Sequence, residues 1–419
     1  MPESRNLASE ITSQLPAELV SFIERAGRAA AESGQKLYMV GGVVRDLLLG
    51  RPNFDLDLVV EGNAISLARK LAAETTAKLT VHRAFNTTKL RWDLWSVDLT
   101  TVRSETYSRP GALPTVAPGT VQTDLFRRDF TINAMAIELT AGSYGKLHDL
   151  YGGTSDLQRR LIRVLHDLSF TDDATRMWRA IRYEQRLGFM IERGTRRLLV
   201  RDVPMFDTVS GDRIRHELEL VFKEDHPERV LRRARELGVL AKLHPSLEAG
   251  TWLSLKFRQA RSFKGDGPLV ALYLALLAYP LNTEETGHLT DYLKLPRPAV
   301  QVLRDSLTLR SRLDRLAEPG LRPSGIYELL KDLSLPAIAA NRLAADSPLA
   351  RRRLGVFLDH LRHVQPILTG DDMISMGIKP GPHMKEILQG ILAAKLDGKV
   401  KTREEEARMA DRLRKEDPG

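Results

Sequence analysis

Residues 41–60 read GGVVRDLLLGRPNFDLDLVV, and this stretch decides the fold of the first part of the chain. Its first half predicts a short helix that opens at a pair of glycines and closes at Gly50. Its second half predicts a strand in which Asp55 and Asp57 interrupt an apolar run. Side chains two residues apart on a strand share a face, so we expect both carboxylates to point the same way.

Two carboxylates on one face repel each other and resist leaving water, so the pair needs a compensating partner. Mg²⁺ fits this role because it prefers carboxylate oxygens together with substrate phosphates. A third acid, Asp98, lies in the strand candidate KLRWDLWSVDLTTVR, residues 89–103, and would join the site if the two strands pair. Three carboxylates could then hold two metal ions. The alternative is that Asp55 and Asp57 lie at an exposed sheet edge and bind no metal.

The glycine pair Gly41-Gly42 lies one short helix upstream of these acids. Glycines let backbone amides approach a phosphate, and a helix N-terminus favours an anion. Arg45 follows on the first turn, where its guanidinium can reach a triphosphate. In isolation, the same pattern is equally typical of an ordinary turn before a helix.

Composition narrows the class of protein. The 419 residues carry a formal net charge of +9, which favours a polyanionic partner such as nucleic acid. There is no cysteine, which excludes disulfides and thiolate metal sites and fits a reducing cytoplasm. The N-terminus lacks the apolar core of a signal peptide. The apolar run PLVALYLALLAYP at 268–280 is too short to span a bilayer, so we expect a buried helix and no membrane partner.

Strand and helix patterns alternate up to about residue 165, and helical spacings of three and four dominate after it. The predicted fold is therefore a compact α/β head with a small mixed sheet, followed by a long all-α region.

The stretch at 41–60 resembles the signature of the tRNA nucleotidyltransferases, a family related to bacterial poly(A) polymerases within the polymerase-β-like nucleotidyltransferase superfamily. DLFRRDFTINAMAIEL at 124–139 resembles the second motif of that family. FTDDATRMWRAIRYEQRLGF at 170–189 resembles its nucleotide-selecting motif. More weakly, LTGDDMISMGIKPGPHMKEIL near the C-terminus resembles the family's tail.

The resemblance implies the bacterial class II arrangement, in which a polymerase-β-like head precedes a helical neck, body and tail. The expected division is an N-terminal helical lead-in at 1–35, the nucleotidyltransferase head at 36–165, the nucleotide-selecting neck at 166–225, the helical body at 226–365 and a tRNA-binding helical tail at 366–419.

The resemblance also implies residue roles. Asp55 and Asp57 would hold the catalytic Mg²⁺ ions that clamp the attacking 3′ hydroxyl and the leaving pyrophosphate. Asp98 is the candidate third catalytic acid. The residues expected to bind the incoming nucleotide are Gly41, Gly42, Arg45, Arg128, Asp173, Arg176, Arg179 and Arg182.

The pair Asp173 and Arg176 suggests how bases are chosen without a template. Three residues apart on a helix, they would share a face. Cytosine and adenine offer an amino donor beside a ring-nitrogen acceptor, which matches a carboxylate beside a guanidinium; uracil and guanine do not match. The alternative is a solvated arginine face. The usual Glu-Asp-Pro of the motif reads Asp172-Asp173-Ala174 here, which leaves the helix start less certain.

TVRSETYSRPGALPTV at 101–116 predicts a mobile loop between strands. The resemblance implies that such a loop helps to switch the site from C to A, although its YSRPGALP form also resembles some A-only enzymes. Two basic clusters, Arg232, Arg233 and Arg235 and the run at 351–353, are candidates for following the tRNA backbone; individually they also fit solvated helix faces.

The predicted function is addition of CCA, from CTP and ATP, to the 3′ end of tRNA held through its acceptor and T arms. The alternatives are an enzyme that adds only A, one that adds only CC, and a poly(A) polymerase. A non-catalytic RNA-binding protein is a further alternative, although the intact acid pair argues against it.

Overall fold

The computed structural model describes residues 5–83, 86–106, 109, 111, 115–262 and 269–416. The chain divides into two compact units by its internal contacts. The first comprises Met1–Glu217 and Glu236–Lys242, and the second comprises Leu218–Arg235 and Leu243–Gly419. The finer division into lead-in, head, neck, body and tail stays a prediction.

A seven-stranded mixed sheet forms the centre of the first unit, in the order β3-β4-β5-β2-β1-β8-β9. The strand β1 pairs antiparallel with β2 and with β8, and β2 pairs parallel with β5. The strands are β1 Lys36–Val40, β2 Leu56–Glu61, β3 Lys78–His82, β4 Thr87–Trp92, β5 Trp95–Thr101, β6 Arg103–Thr106, β7 Thr115–Pro118, β8 Ala136–Glu138, β9 Leu147–His148, β10 Leu161–Ile162 and β11 Met190–Ile191.

The central position of β1 follows from its sequence. Leu37, Tyr38, Met39 and Val40 are all buried, so the strand is covered on both faces and reads as one continuous apolar run. By contrast, the edge strand β3 alternates between exposed and half-buried residues. The two burial patterns therefore fit a central position for β1 and an edge position for β3, and in the structure β1 lies next to β2.

The helices of the first unit surround this sheet and lead into the segment that follows it. They are α1 Ala8–Gln14, α2 Ala17–Glu32, α3 Gly42–Leu48, α4 Ala64–Ala73, α5 Val121–Phe126, α6 Gly153–Gln158, α7 Ser169–Asp172, α8 Thr175–Leu187, α9 Arg193–Asp202 and α10 Gly211–Phe222, the last of which crosses the boundary between the units.

Among the residues described, the regular secondary structure of the second unit is all helical. Its helix α13 carries the apolar run discussed above and is buried from Leu272 to Ala278, as predicted. Near the C-terminus, Met373, Ile387, Ile391 and Ala410 belong to a separate small core. The helices are α11 Pro227–Glu236, α12 Thr251–Arg261, α13 Leu269–Ala278, α14 Thr283–Tyr292, α15 Arg297–Arg310, α16 Leu313–Ala317, α17 Pro323–Leu330, α18 Leu335–Ala344, α19 Pro348–Asp359, α20 Gly370–Ser375, α21 Pro382–Leu396 and α22 Arg403–Glu416.

The predicted fold class, an α/β head followed by helices, is confirmed. Three local details differ from the prediction. The candidate strand KLRWDLWSVDLTTVR is a hairpin, β4 and β5, that turns at Asp93 with a φ of 45° and at the exposed Leu94. The segment 101–116 contains the paired strands β6 and β7; its residues 107, 108, 110 and 112–114 lie outside the described part. The short parallel pair β10–β11 lies partly beyond residue 165.

None of the helices described has the length and apolar character needed to cross a membrane.

Candidate active site

A cleft of about 900 Å³ opens in the first unit where the predicted motifs meet. It is bounded by the β1–α3 turn, the start of β2, the end of α5, the start of α8 and the start of α10. Most residues that the sequence nominated line it: Gly41, Gly42, Arg45, Asp55, Asp57, Arg128, Asp173, Arg176 and Arg179.

Asp55 and Asp57 both line this cleft at the N-terminal end of β2. The strand begins at Leu56, so Asp55 lies just before it, with its N–H donating to Asn53 Oδ1 at 3.1 Å. The surrounding protein restricts water around Asp57, although its side chain opens into the cleft. This desolvation, opposed by Arg128 and reinforced by Asp55 and by Asp98, raises the pKa of Asp57 to about 6. Asp57 is therefore ionised at neutral pH, with its charge only partly compensated by Arg128.

Asp98 lies on β5 directly beside Asp57, as expected if the two strands pair. Its carboxylate is 3.0 Å from Lys89 Nζ on the neighbouring strand β4. Asp98 is not among the described residues that line the cleft. Its role as a third catalytic acid stays a prediction. Lys89 forms an ion pair with the same carboxylate that a metal ion would need.

The acid pair suits a metal ion that is only partly held by protein. No group of three or more His, Asp or Glu side chains among the described residues is arranged to hold a metal ion. Asp55 and Asp57 supply hard oxygen donors with excess negative charge. This donor set fits Mg²⁺, which commonly takes one or two carboxylates and completes its shell with water and substrate phosphates.

Opposite the acids, Asp124 organises two arginines of the second motif. Its buried carboxylate accepts from Arg127 at 2.6 Å and from Arg128 at 2.9 Å. Burial disfavours its charged form, but the two guanidinium charges outweigh this and lower the pKa of Asp124. Asp124 therefore stays ionised and holds Arg128 at the cleft wall.

Gly41 lies between Asp57 of the acid pair and Arg128 of the opposite cleft wall. Its backbone has φ 79° and ψ −137°, a region that side-chain-bearing residues avoid. A Cβ at this position would lie 3.0 Å from Arg128 Nη1 and 3.8 Å from Asp57 Oδ2. Glycine is thus favoured by the backbone conformation, and a side chain here would also press on the guanidinium of Arg128.

We expect Gly41→Ala to weaken nucleotide binding more than it weakens the fold. The strained backbone should cost about 1 to 3 kcal/mol, and the new methyl group should displace Arg128. The measurements are the melting temperature and the KM for nucleotide. Gly50→Ala is the matched control, because Gly50 has φ 64° but nothing within 4 Å of a Cβ. Equal KM values for the two variants would contradict this role for Gly41.

A buried chain of hydrogen bonds forms the floor of the cleft. Asn53 donates to Asp46 at 2.7 Å, and Asp46 accepts from Arg45 at 2.9 and 2.7 Å. Arg45 donates onward to Asn133 Oδ1 at 2.7 Å, and Asn133 donates to Asp129 at 3.0 Å. Arg45, which the sequence nominated for phosphate binding, is thus held rigidly by its own neighbour Asp46.

The chain continues onto α8. Asp129 accepts from Arg179 Nε and Nη2 at 2.9 and 2.6 Å. Arg182, which was expected to contact nucleotide, is buried, lies 3.4 Å from Glu217 and is not among the described cleft-lining residues. The guanidinium carbons of Arg179 and Arg182 lie 5.7 Å and 5.3 Å from the centroid of the Tyr183 ring. Arg182 therefore lies beneath the cleft surface and packs against Tyr183, which lines the cleft. This position does not favour direct contact with nucleotide.

The helix that carries the base-reading pair starts later than predicted. Asp173 is extended, with φ −146° and ψ 98°, and α8 begins at Thr175 rather than near Asp172. The Asp173 carboxylate accepts from the N–H and hydroxyl of Thr175 at 3.0 and 2.6 Å, so it caps the helix instead of lying on its face. Its other oxygen accepts from Arg213 at 2.8 Å.

Arg176 points into the same cleft but is not solvated. It is 6% exposed, and it donates to Ser169 Oγ at 2.8 Å and to the Arg127 carbonyl at 2.7 Å. These contacts overturn the alternative of a solvated arginine face at this position. Asp173 and Arg176 line one cleft. The Arg176 backbone N–H donates to the Asp173 carbonyl at 3.1 Å, but no hydrogen bond described for their side chains joins the carboxylate to the guanidinium.

The basic clusters of the second unit behave differently from one another. Arg232 and Arg235 are exposed on α11, and Arg235 lies 2.9 Å from Glu248. Arg353 donates to the carbonyls of Leu316 and Glu318 at 2.8 and 2.6 Å. It therefore fixes a helix end, and the expectation that it follows the tRNA backbone has no support from its contacts.

Sequence reasoning missed the residues that hold the nominated arginines. Asp46 and Asp129 each follow a nominated arginine directly, as Arg45-Asp46 and Arg128-Asp129. The Arg-Asp step was a usable signal only for Asp46, because Asp129 holds Arg179 and not Arg128. Asp124 was also missed, although it lies three and four residues before the two arginines that it holds. Nothing local marked the other missed residues, which include Asn53, Asn133, Tyr183, Arg213 and Glu217.

Comparison with known proteins identifies the class first. Residues 37–163 match the family model of the poly A polymerase head domain. Residues 188–250 match the model described as a probable RNA and SrmB-binding site of polymerase A.

Individual similar proteins then identify the family within this class. An A-adding tRNA nucleotidyltransferase of Geobacter sulfurreducens is 35% identical over 98% of this chain, but the chain spans about half of that relative, 48%. One from Halalkalibacterium halodurans is 31% identical, with 97% of this chain and 95% of the relative covered. A solved CCA-adding enzyme in an apo form has a TM-score of 0.81, 32% identity and coverage of 97% and 99%. The chain belongs to the tRNA nucleotidyltransferase family.

Proposed function

We propose that this protein is a template-independent nucleotidyltransferase that transfers AMP from ATP to the 3′ hydroxyl of a tRNA ending in CC. The observation that carries this proposal is the shared cleft: the acid pair Asp55 and Asp57 faces the arginine wall formed by Arg128, Arg176 and Arg179. A triphosphate with its cation needs both signs of charge in one place. A cytoplasmic location is part of the proposal and agrees with a tRNA substrate.

Addition of the complete CCA from CTP and ATP is the second candidate, and it is the one predicted from the sequence. The relatives at 35% and 31% identity described above are A-adding enzymes, which supports A addition. Solved CCA-adding enzymes bound to CTP and to ATP are 31% and 30% identical, which supports the second candidate. Both candidates include transfer of the terminal A.

The residues of the cleft divide the task between them. Asp55 and Asp57 would hold Mg²⁺, which when bound supplies Lewis-acid activation and charge neutralisation. Arg128, fixed by Asp124, is positioned to bind the triphosphate. Gly41 keeps the backbone open between them. The rigid support of each group means that little reorganisation is needed when the nucleotide binds.

Asp173 and Arg176 would read the base edge from the other end of the cleft. One Asp173 oxygen caps α8, and the other, held by Arg213, retains a further acceptor site. Arg176 likewise has N–H groups beyond those used on Ser169 and Arg127. A carboxylate acceptor and a guanidinium donor match adenine and cytosine, so UTP and GTP should be refused because buried polar groups would be left unpaired.

The test is nucleotide addition followed at single-nucleotide resolution. We expect one A on a tRNA ending in CC with ATP and Mg²⁺, and no product with UTP or GTP. A tRNA lacking all three residues, given CTP and ATP, separates A addition from CCA addition. Addition of more than one A to the RNA would indicate a poly(A) polymerase. Absence of product with every RNA tested would favour the alternative of a non-catalytic RNA-binding protein.

Base selection is tested in the same assay with Arg176→Ala. We expect UTP and GTP to compete measurably with ATP because the donor half of the reading pair is lost. Arg69→Ala on α4 is the matched control, since Arg69 is exposed and does not line the cleft. Unchanged selectivity in the Arg176 variant would remove this residue from base reading.

A further inference from the structure

A second cavity, of about 710 Å³, adjoins the active-site cleft and has no role in the reaction described above. Three aromatic side chains meet there, and we call it the aromatic pocket: Phe126 at the end of α5, Tyr151 and His166. The ring centroid of Phe126 lies 5.7 Å from that of Tyr151 and 5.1 Å from that of His166. The Tyr151 hydroxyl donates to the Gln122 carbonyl at 3.0 Å, which fixes its ring.

The aromatic pocket leaves apolar surface uncovered. Phe126 is 45% exposed, and Leu168 on the same lining is 59% exposed. Single exposed apolar residues are normal on a protein surface. Aromatic rings that contact one another in a concave site are different, because such sites favour a flat ligand.

The aromatic pocket and the cleft share one wall. Glu105, Arg127 and Arg176 line both cavities. The Arg127 carbonyl accepts from Arg176, one of the two proposed base readers, so the shared wall is rigid. A ligand that extends out of the cleft past these residues would enter the aromatic pocket next.

The charges of the aromatic pocket suit a neutral ring better than a phosphate. Its arginines, Arg127 and Arg176, are offset by Glu105, Asp167 and Asp172. Arg127 is already paired with Asp124 and Glu105. Burial and the nearby Arg176 lower the pKa of His166, so its ring is neutral at physiological pH. Among the described lining residues three acids face two arginines, so a phosphate would meet net negative charge, whereas a nucleobase would find aromatic faces and hydrogen-bond acceptors.

We infer that the aromatic pocket binds an unpaired nucleobase of the RNA strand whose 3′ end reacts in the cleft, by stacking it on Phe126. This inference rests on the proposed function, because the cleft must hold the RNA end for a neighbouring base to reach the pocket. Stacking on an aromatic side chain is tolerant of base identity, so the aromatic pocket holds the primer and does not select it.

The kinetic test compares variants of Phe126 on a tRNA ending in CC. Phe126→Ala should raise the KM for tRNA about 5- to 150-fold, the range expected for loss of one stacked base, with unchanged KM for ATP and unchanged kcat. Phe126→Trp should retain the wild-type KM, whereas Phe126→Leu should not. Leu94→Ala is the control, since Leu94 is 93% exposed at the β4–β5 turn. Full rescue by leucine, or equal KM values for the Phe126→Ala and Leu94→Ala variants, would overturn the inference.

A binding test separates this inference from the proposed function. Minihelix RNAs ending in CC, with 2-aminopurine at one of their last three positions, are titrated with protein without ATP. One probe should change its emission with the wild type and the Leu94 variant but not with Phe126→Ala. No change with any probe would overturn the stacking site. If the wild type adds nothing to tRNA but the Phe126-dependent signal is present, the proposed function fails and the nucleobase site stands.

Discussion

Replacing Asp57 by asparagine should lower the rate of nucleotide transfer at least about a thousandfold. Loss of one carboxylate from a two-carboxylate site removes several kcal/mol of metal-dependent stabilisation of the transition state, and each 1.36 kcal/mol is a factor of ten in rate. The measurement is a single-turnover rate with saturating ATP, Mg²⁺ and a tRNA ending in CC. Asp93→Asn is the matched control, because Asp93 is exposed in the β4–β5 turn at φ 45°, which asparagine tolerates.

The same variant should be more stable than the wild type when metal is removed. The pKa of Asp57 is raised from 3.8 to about 6, so the folded state binds this proton more tightly than the unfolded state does. Ionised Asp57 therefore opposes folding as pH rises from 3.8 through about 6, and the full effect is present at pH 8. In EDTA at pH 8, the Asp57→Asn variant should melt at a higher temperature than the wild type.

Added Mg²⁺ should then stabilise the wild type and leave the variant unchanged, because a ligand that binds only the folded state raises its stability. This readout does not depend on activity. Equal stabilisation of both proteins by Mg²⁺ would show that the ion binds elsewhere and that the acid pair needs another explanation.

The sequence revealed the parts of the site that depend on local pattern. The two-residue spacing was sufficient to predict that Asp55 and Asp57 face the same way, and both line one cleft. The pairing of β2 with β5, which brings Asp98 beside Asp57, was stated only as a condition. Which strands pair depends on the topology of the whole sheet, and one strand's sequence does not contain that information.

The sequence could not reveal what each arginine contacts. Arg45 and Asn133 are 88 residues apart along the chain but hydrogen-bonded at 2.7 Å, and only the fold makes them neighbours. The late start of α8 has a different cause. A side chain that satisfies a helix terminus competes with helical continuation, and Asp173 caps α8 while the helical period alone would continue through it.

Replacing Asp129 by asparagine should destabilise the first unit by about 3 kcal/mol, the low end of the cost of breaking a buried ion pair. Burial disfavours the charged form of this carboxyl, but Arg179 and the Asn133 amide outweigh it and hold the pKa of Asp129 below its usual 3.8. Without this charge, the ion pair that remains to Arg179 among the described residues is the longer one with Glu217, at 3.7 Å, beside its contact with the Tyr183 ring. The melting temperature should fall by roughly 10 °C, and the KM for nucleotide should rise because Arg179 lines the cleft.

The pH dependence separates the ion pair from simple loss of packing. Since the folded pKa of Asp129 is below the unfolded value, its stabilisation is complete above pH 3.8 and is lost as pH falls through the folded pKa. Chemical denaturation of the wild type and Asp129→Asn should therefore show a stability difference that is constant from pH 6 to 8 and shrinks below pH 4. Asp93→Asn again serves as the control. A difference that stays constant down to pH 3 would mean that the carboxylate acts through its shape and not through its charge.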